Sequence, residues 1–432
     1  MHSPGVTEHA GRLSVGGLCV NFPTPMALKF TNFMKVVRIP LLLLFVAVGS
    51  ASLMHVYDKR MEHVTRGTAP DVHSGPWGDL QSWDVRLEQP LEYVGFEKTT
   101  GEGPFWNFGP VSPEAVGSVL RAVGYGDSQI SVLQSSAMRL PDGSIVLKPS
   151  PEQVAALDPI NRSKLYLQLA ANPANRFQVN PYHIIDGNVG RLFDEKFDSN
   201  REAISLMKRL LYQRNGFTYF SDPESVLKLL KTREERLKFL QSLTSQDVVM
   251  LRLLVRPNTD IDKPLNYWCL GMPGVLLKDL RSLLEAQQRL PDGGSVSVLY
   301  LLPPLARERL FTSPLPPEAG TASKLPDCHW TALNFFRAEP DPRLSDNAHA
   351  SDFIVRNYYE VARPGVCGDL VLLLDQQNRV VHSSVYIADD IVFTKNGINY
   401  AQPWVLMHER DMVGSFSALE PVKVAYFRRK GL

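Results

Sequence analysis

The chain has 432 residues, of which 44% are hydrophobic and 21% charged. That is the composition of an ordinary globular protein too long for one small core, and it predicts two or three folding units. The formal charge is +1 and no basic run with interleaved aromatics occurs, so a nucleic-acid partner is not expected.

The first feature in chain order is the apolar run from Ile39 to Ser52, preceded by Lys35 and Arg38 and ending in the small residues Gly49, Ser50, Ala51 and Ser52. A charged start, an apolar middle and a small-residue end are the parts of an export signal. Met34 stands just before it, which makes residues 1–33 an expected mis-called extension and residues 34–56 a signal peptide, if cut, or a signal-anchor, if not. At about 18 residues the apolar stretch to Val56 is just long enough to span a bilayer. Positive charge on its N-terminal side places the bulk of the chain outside the cytoplasm under either reading. The expected location is therefore the cell envelope, exported or held to the membrane through residues 39–56. Of the four cysteines, Cys19 precedes this segment. Cys269, Cys328 and Cys367 share the exported compartment and cannot all pair, so at least one thiol there is expected to be free.

Residues 57–80 are polar with Gly, Pro and His, and read as a tether. Residues 81–310 read as a mainly helical domain with some strand, including Ser295 to Tyr300. Ser112, Ser150 and Asp222 each precede a Pro-Glu pair, which marks three helix starts, and Ala203, Ile204, Met207, Leu210 and Leu211 recur at helical spacing. No metal-ligand spacing, phosphate-binding glycine loop or carboxylate pair stands out here. Trp77, Trp83, Trp106 and Trp268 could line a groove, but core packing is the expectation for most of them. Residues 311–321, rich in proline and small side chains, read as a linker.

Beyond it, in residues 322–432, the pattern changes. Cys328 stands at the start of a helix carrying Ala332, Leu333, Phe335 and Phe336, with Asp327 as its cap. A thiol there is favoured as thiolate, and free N–H groups beside it suit an oxyanion. Asp369 to Asp375 is apolar on both faces, as in a central strand. From Val380 to Ile387 the residues alternate, so that His382, Ser384 and Tyr386 share one face. A turn at Ala388-Asp389-Asp390 returns the chain. Pairing Ile387 with Ile391 and counting back sets Thr394 opposite Ser384 and Asn396 opposite His382, both able to orient the imidazole. A thiol and an imidazole on neighbouring elements are the two parts a cysteine hydrolase needs.

Residues from about 322 to 430 resemble the NlpC-like cell-wall cysteine peptidases. Asp327-Cys328 is similar to that family's Asp-Cys helix start, Gly368-Asp369-Leu370-Val371 to its Gly-Asp-Leu-Val strand, and His382 to Ile387 to its His-x-x-hydrophobic-Tyr-hydrophobic strand, in the same order. The resemblance implies an α+β chain whose C-terminal domain has a papain-like fold, a cysteine-bearing helix packed on an antiparallel sheet. It implies Cys328 as nucleophile, His382 as base, no metal or organic cofactor, and peptide amides of peptidoglycan stems as substrate. The chain departs from the pattern in two places: His329-Trp330 follows the cysteine where Ser-Gly is usual, and the third polar position, often histidine, falls on Thr394. The third residue is thus Thr394 or Asn396. Two other functions fit the same residues: acyl transfer or non-peptide amide cleavage on this fold, and a silent scaffold whose middle domain binds a partner. Keeping both Cys328 and His382 argues against the last.

Overall fold

The computed structural model describes residues 71–89, 104–193, 200–272, 274–314, 326–397 and 402–432, all within the unit Arg66–Leu432. The expected extension 1–33, the apolar segment 34–56 and the tether up to residue 70 lie outside the described residues. Among the described residues no helix is long and apolar enough to cross a membrane.

The architecture is α+β, with helices against antiparallel sheets. Six strands form the C-terminal sheet, in the spatial order Tyr358–Val361, Lys423–Arg429, Leu370–Leu374, Val380–Ala388, Ile391–Lys395 and Trp404–His408, each antiparallel to its neighbours. Leu370–Leu374 is central and its first four residues are buried, as its two-sided apolar sequence requires. A second, four-stranded antiparallel sheet takes the order Asp71–Gly75, Gly78–Leu87, Gln246–Val255, Gly294–Ser297. The strand expected through Tyr300 therefore stops at Ser297, whose hydroxyl accepts from Leu299 N and starts a 3-10 turn over Val298–Leu301.

The expected division of the chain differs from the observed one in three places. The tether assigned to residues 57–80 is a strand hairpin from Asp71 onward, with Leu80 buried and Trp77 packed edge-on against Tyr267 at 5.9 Å. The region 81–310 does not share one core. Its helical part, 104–245, has its own, around Trp106, Tyr166, Leu210 and Phe239. Leu87 pairs with Gln246, so the helical part is inserted between two adjacent strands. Leu80, Leu253, Trp268 and Leu302 pack instead in one core with Trp330, Phe335, Leu370 and Phe393. The linker 311–321 is pinned where it is described: Phe311 N donates to Trp404 O at 2.7 Å and Trp404 N to Thr312 O at 3.0 Å.

Within the helical part, Ser112 and Ser150 cap their helices as read from sequence, the latter through a reciprocal box with Gln153. Asp222 does not, because its buried carboxylate receives the Tyr166 hydroxyl at 2.7 Å instead. Three side chains of this part hold the end of the C-terminal helix Glu409–Phe416: Tyr219 bonds Gly414 O, Asn215 bonds Ser417 O and Arg214 bonds Ala418 O, each at 2.7 Å. Gly414 permits the approach, since a Cβ there would meet the His183 ring at 2.4 Å.

Candidate active site

The cysteine helix spans Cys328–Leu333. Asp327 caps it by accepting from Trp330 N at 2.7 Å. It ends where Asn334 bends back on Trp330 O and Asp341, so Phe335 and Phe336 lie just beyond it. Trp330, Leu333 and Phe335 anchor it to the sheet, with Phe335 5.8 Å from Phe393. Gly368 has φ +103°, and a Cβ there would strike the Phe336 ring at 2.2 Å, so the glycine of the Gly-Asp-Leu-Val run is needed for both backbone and space. Cys328 is 8% exposed. Burial pushes its thiol up to about 11 and the Asp327 carboxylate acts in the same direction, against the backbone N–H groups of Ser383, His329 and Cys328 itself.

His382 is fully buried. Its Nε2 lies 2.8 Å from Thr394 Oγ1, and Thr394 Oγ1 donates to Asn396 Oδ1 at 3.2 Å. A hydroxyl has one proton, and Thr394 spends it on Asn396. The imidazole must then donate through Nε2–H, which leaves Nδ1 as the lone-pair nitrogen. That Nδ1 is buried without a hydrogen-bond partner. The Phe416 ring stacks on the imidazole at 4.1 Å, and burial, helped by nearby His329, pulls His382 down to about 3. At neutral pH both groups are therefore uncharged.

The two candidates for the third position act in series, Thr394 on the imidazole and Asn396 on Thr394. The observed pairs Val385↔Phe393 and Tyr386↔Val392 follow the register counted from the sequence, but a bulge after Tyr386 pairs Ala388 with Ile391 and shortens the turn. The ladder stops at Val385↔Phe393, so His382, Ser383 and Ser384 have no strand partner on that side. Cys328 meets the histidine strand there, through Ser383, the residue after His382. The register sets His382 opposite Leu373, on the side of Tyr386 and Phe416, and Ser383 opposite Leu372, on the side of the cysteine helix, so the imidazole and the thiol start from opposite faces of the strand and no hydrogen bond joins them.

No family model, curated protein or solved structure matches this chain.

Several residues have contacts at the site that the sequence did not assign to them. His329 Nδ1 lies 2.7 Å from Ser383 Oγ and so helps tie the cysteine helix to the histidine strand. Asp369, fully buried, receives both Arg428 Nε and Nη2, at 2.8 and 2.7 Å, and Gly365 N at 2.8 Å, which locks the central strand to its neighbour. Lys395 is fully buried, and the only hint was a lysine in phase with Ile391 and Phe393. Cys269, Cys328 and Cys367 are all free thiols. A cavity of about 370 Å³ borders the far side of the relay, with Asn396, Met407 and Phe416 facing His183 and Arg86 of the rest of the chain.

Proposed function

We propose that this protein is an exported or membrane-tethered cysteine hydrolase that cleaves peptide amide bonds, with peptidoglycan stem peptides as its substrate class, and that the cysteine helix and its sheet within residues 322–432 make a papain-like arrangement of NlpC type, built on a core shared with the Gly78–Leu87 and Gln246–Val255 strands. The observation that carries this reading is the His382–Thr394–Asn396 line, which fixes the imidazole tautomer and leaves a bare, buried basic nitrogen one residue from where the strand meets Cys328. A buried acceptor without a partner costs free energy, and proton abstraction gives it a use. The envelope location rests on the charged, apolar and small-residue pattern of residues 34–56.

The chemistry needs only these side chains. As the substrate carbonyl arrives, the Cys328 S–H proton passes through one intervening water to His382 Nδ1, which faces the other side of its strand, while a C–S bond forms and the carbonyl π pair moves to oxygen. The tetrahedral species collapses as the C–N bond breaks, and the leaving amine takes the proton from Nδ1. Water then attacks the thioester and gives a proton to Nδ1. The C–S bond breaks, the acid leaves, and sulfur recovers its proton. Throughout, Nε2–H donates to Thr394, which holds the ring without supplying charge.

Acid quenching of the full-length protein during reaction with purified stem peptides, followed by mass spectrometry, tests this. An acyl adduct on the Cys328 peptide, absent from Cys328→Ala, is expected. Turnover without any adduct, or an adduct elsewhere, contradicts it. Release of the adduct by added amines faster than by water would assign acyl transfer instead.

A further inference from the structure

The strand Ile391–Lys395 serves the site from both of its faces. Val392 and Thr394 point to the side of Tyr386, Met407 and Phe416, where His382 lies. Ile391 and Phe393 point the other way, into the core beneath the cysteine helix with Leu333 and Phe335. The two-residue period puts Lys395 on that second face. Its ladder partner is Trp404, whose indole N–H donates to Thr331 Oγ1 at 3.0 Å. Thr331 in turn bonds Asp327 O at 2.7 Å, one residue before Cys328. Lys395 Nζ donates to Gly397 O at 2.6 Å and lies 5.8 Å from the Trp404 ring. Lys395 thus lies on the strand face packed beneath the cysteine helix, linked to its Asp327 cap through Trp404 and Thr331.

A wholly buried ammonium is expensive where an apolar side chain would fill the same space. Burial pulls Lys395 down to about 8, and the charges that act against this are those of Cys328 and Asp327. From the other elements packed here, the ionisable neighbours are His329, beside Ser383, and Arg309, 5.3 Å from the Trp404 ring.

We propose that Lys395 supplies the positive charge that stabilises the Cys328 thiolate, so that adjacent residues of one strand serve the two reacting groups, Thr394 the base and Lys395 the nucleophile. This rests on Cys328 as the nucleophile. It also accounts for a protein that buries its thiol so deeply: a sulfur anion formed in a dry site needs a counter-charge fixed in advance. Lys395 acts through the sulfur, as a positioning residue for charge, and takes no proton from the substrate.

The test is the rate of Cys328 alkylation by iodoacetamide against pH in the full-length protein, with peptide mapping. The reagent is uncharged, so its own attraction to the site is not at issue. Lys395→Gln keeps a donor for Gly397 O without the charge, Lys395→Met removes both, and Lys395→Arg keeps the charge. The thiol midpoint is expected to rise by about one unit in the Gln and Met variants, which slows Cys328 labelling at pH 7 about tenfold. Labelling of Cys367 should be unchanged, and Lys395→Arg should hold the midpoint near that of the wild type. If Lys395→Met fails to fold by thermal melting, Lys395→Gln decides. A Cys328 midpoint unchanged in the folded uncharged variants overturns the proposal while leaving amide hydrolysis untouched. A midpoint that depends on Lys395 in a protein that forms no acyl adduct would keep the proposal and refute the hydrolase reading.

Discussion

Thr394→Val removes one oxygen and keeps the shape of the side chain, so its effect is that of the hydroxyl alone. In the folded protein His382 Nε2–H would be left unpaired in a site with no solvent exposure. A buried donor stripped of its acceptor costs about 1–3 kcal/mol, which should appear as a lower urea midpoint with an unchanged slope. Asn396 would also lose the hydroxyl that donates to its Oδ1. For catalysis, the imidazole would no longer be held in the Nε2–H tautomer, and part of the population would carry its proton on Nδ1, where the base must be bare. A loss of about 1–2 kcal/mol in orientation corresponds to about a 5- to 30-fold fall in kcat. Thr394→Ser, which restores the hydroxyl, should recover most of it. The assay is hydrolysis of stem peptides followed by release of new amino termini, with urea unfolding alongside. A Thr394→Val protein with wild-type kcat and wild-type stability would refute the relay and the tautomer drawn from it.

Two further predictions concern the frame around the site. His408 bridges Asp390 at 2.8 Å and Asp84 at 3.1 Å, and the Asp390 hydrogen bond raises it to about 9 against the opposing effect of burial. A raised folded-state value means the bridge contributes fully below the unfolded value near 6.5 and loses its contribution as pH rises through about 9. With the side chain about a third exposed, solvent screening reduces this to about 1 kcal/mol. His408→Gln should therefore be less stable than wild type at pH 6 and match it near pH 10 by urea unfolding; a pH-independent difference would contradict the bridge. Arg428→Met strips both guanidinium bonds from buried Asp369, and breaking such a pair costs about 3–5 kcal/mol. Adding Asp369→Asn should recover part of the loss by removing the orphaned charge, and no recovery would argue against that origin.

What sequence made legible was local. The Asp327 cap, the two-sided apolar strand at 370–374 and the alternation of 380–387 are each written in neighbouring residues, whereas counting from Ile387 and Ile391 gave the register only at Val385 and Tyr386, because a bulge pairs Ala388 with Ile391 and the ladder ends before Ser384 and His382. What it hid depended on distant partners. The Gly78–Leu87 and Gln246–Val255 strands find each other across an inserted helical part, so composition alone drew the domain boundary at 310 where Leu302 and Trp330 share a core. Asp71–Gly75 is polar enough to pass for a tether because it is an edge strand exposed on most of its residues. Arg428 and Lys395 were invisible for another reason: a charged residue in a strand reads as solvent-facing, and only the assembled sheet shows one paired with Asp369 and the other buried beneath the cysteine helix. The third position stayed open between Thr394 and Asn396 because both fall on the same face, and only the hydrogen-bond order separates direct contact from support.

The most direct test of the central claim is hydrolysis of purified peptidoglycan stem peptides by the full-length wild type, Cys328→Ala and His382→Ala, read by mass spectrometry as new amino and carboxyl termini. The account predicts cleavage of an amide bond by the wild type and loss of activity in both variants by at least about a thousandfold, as expected when a nucleophile and its base act as a unit. Cleavage persisting in Cys328→Ala, or a wild type that cleaves none of these peptides, would contradict it.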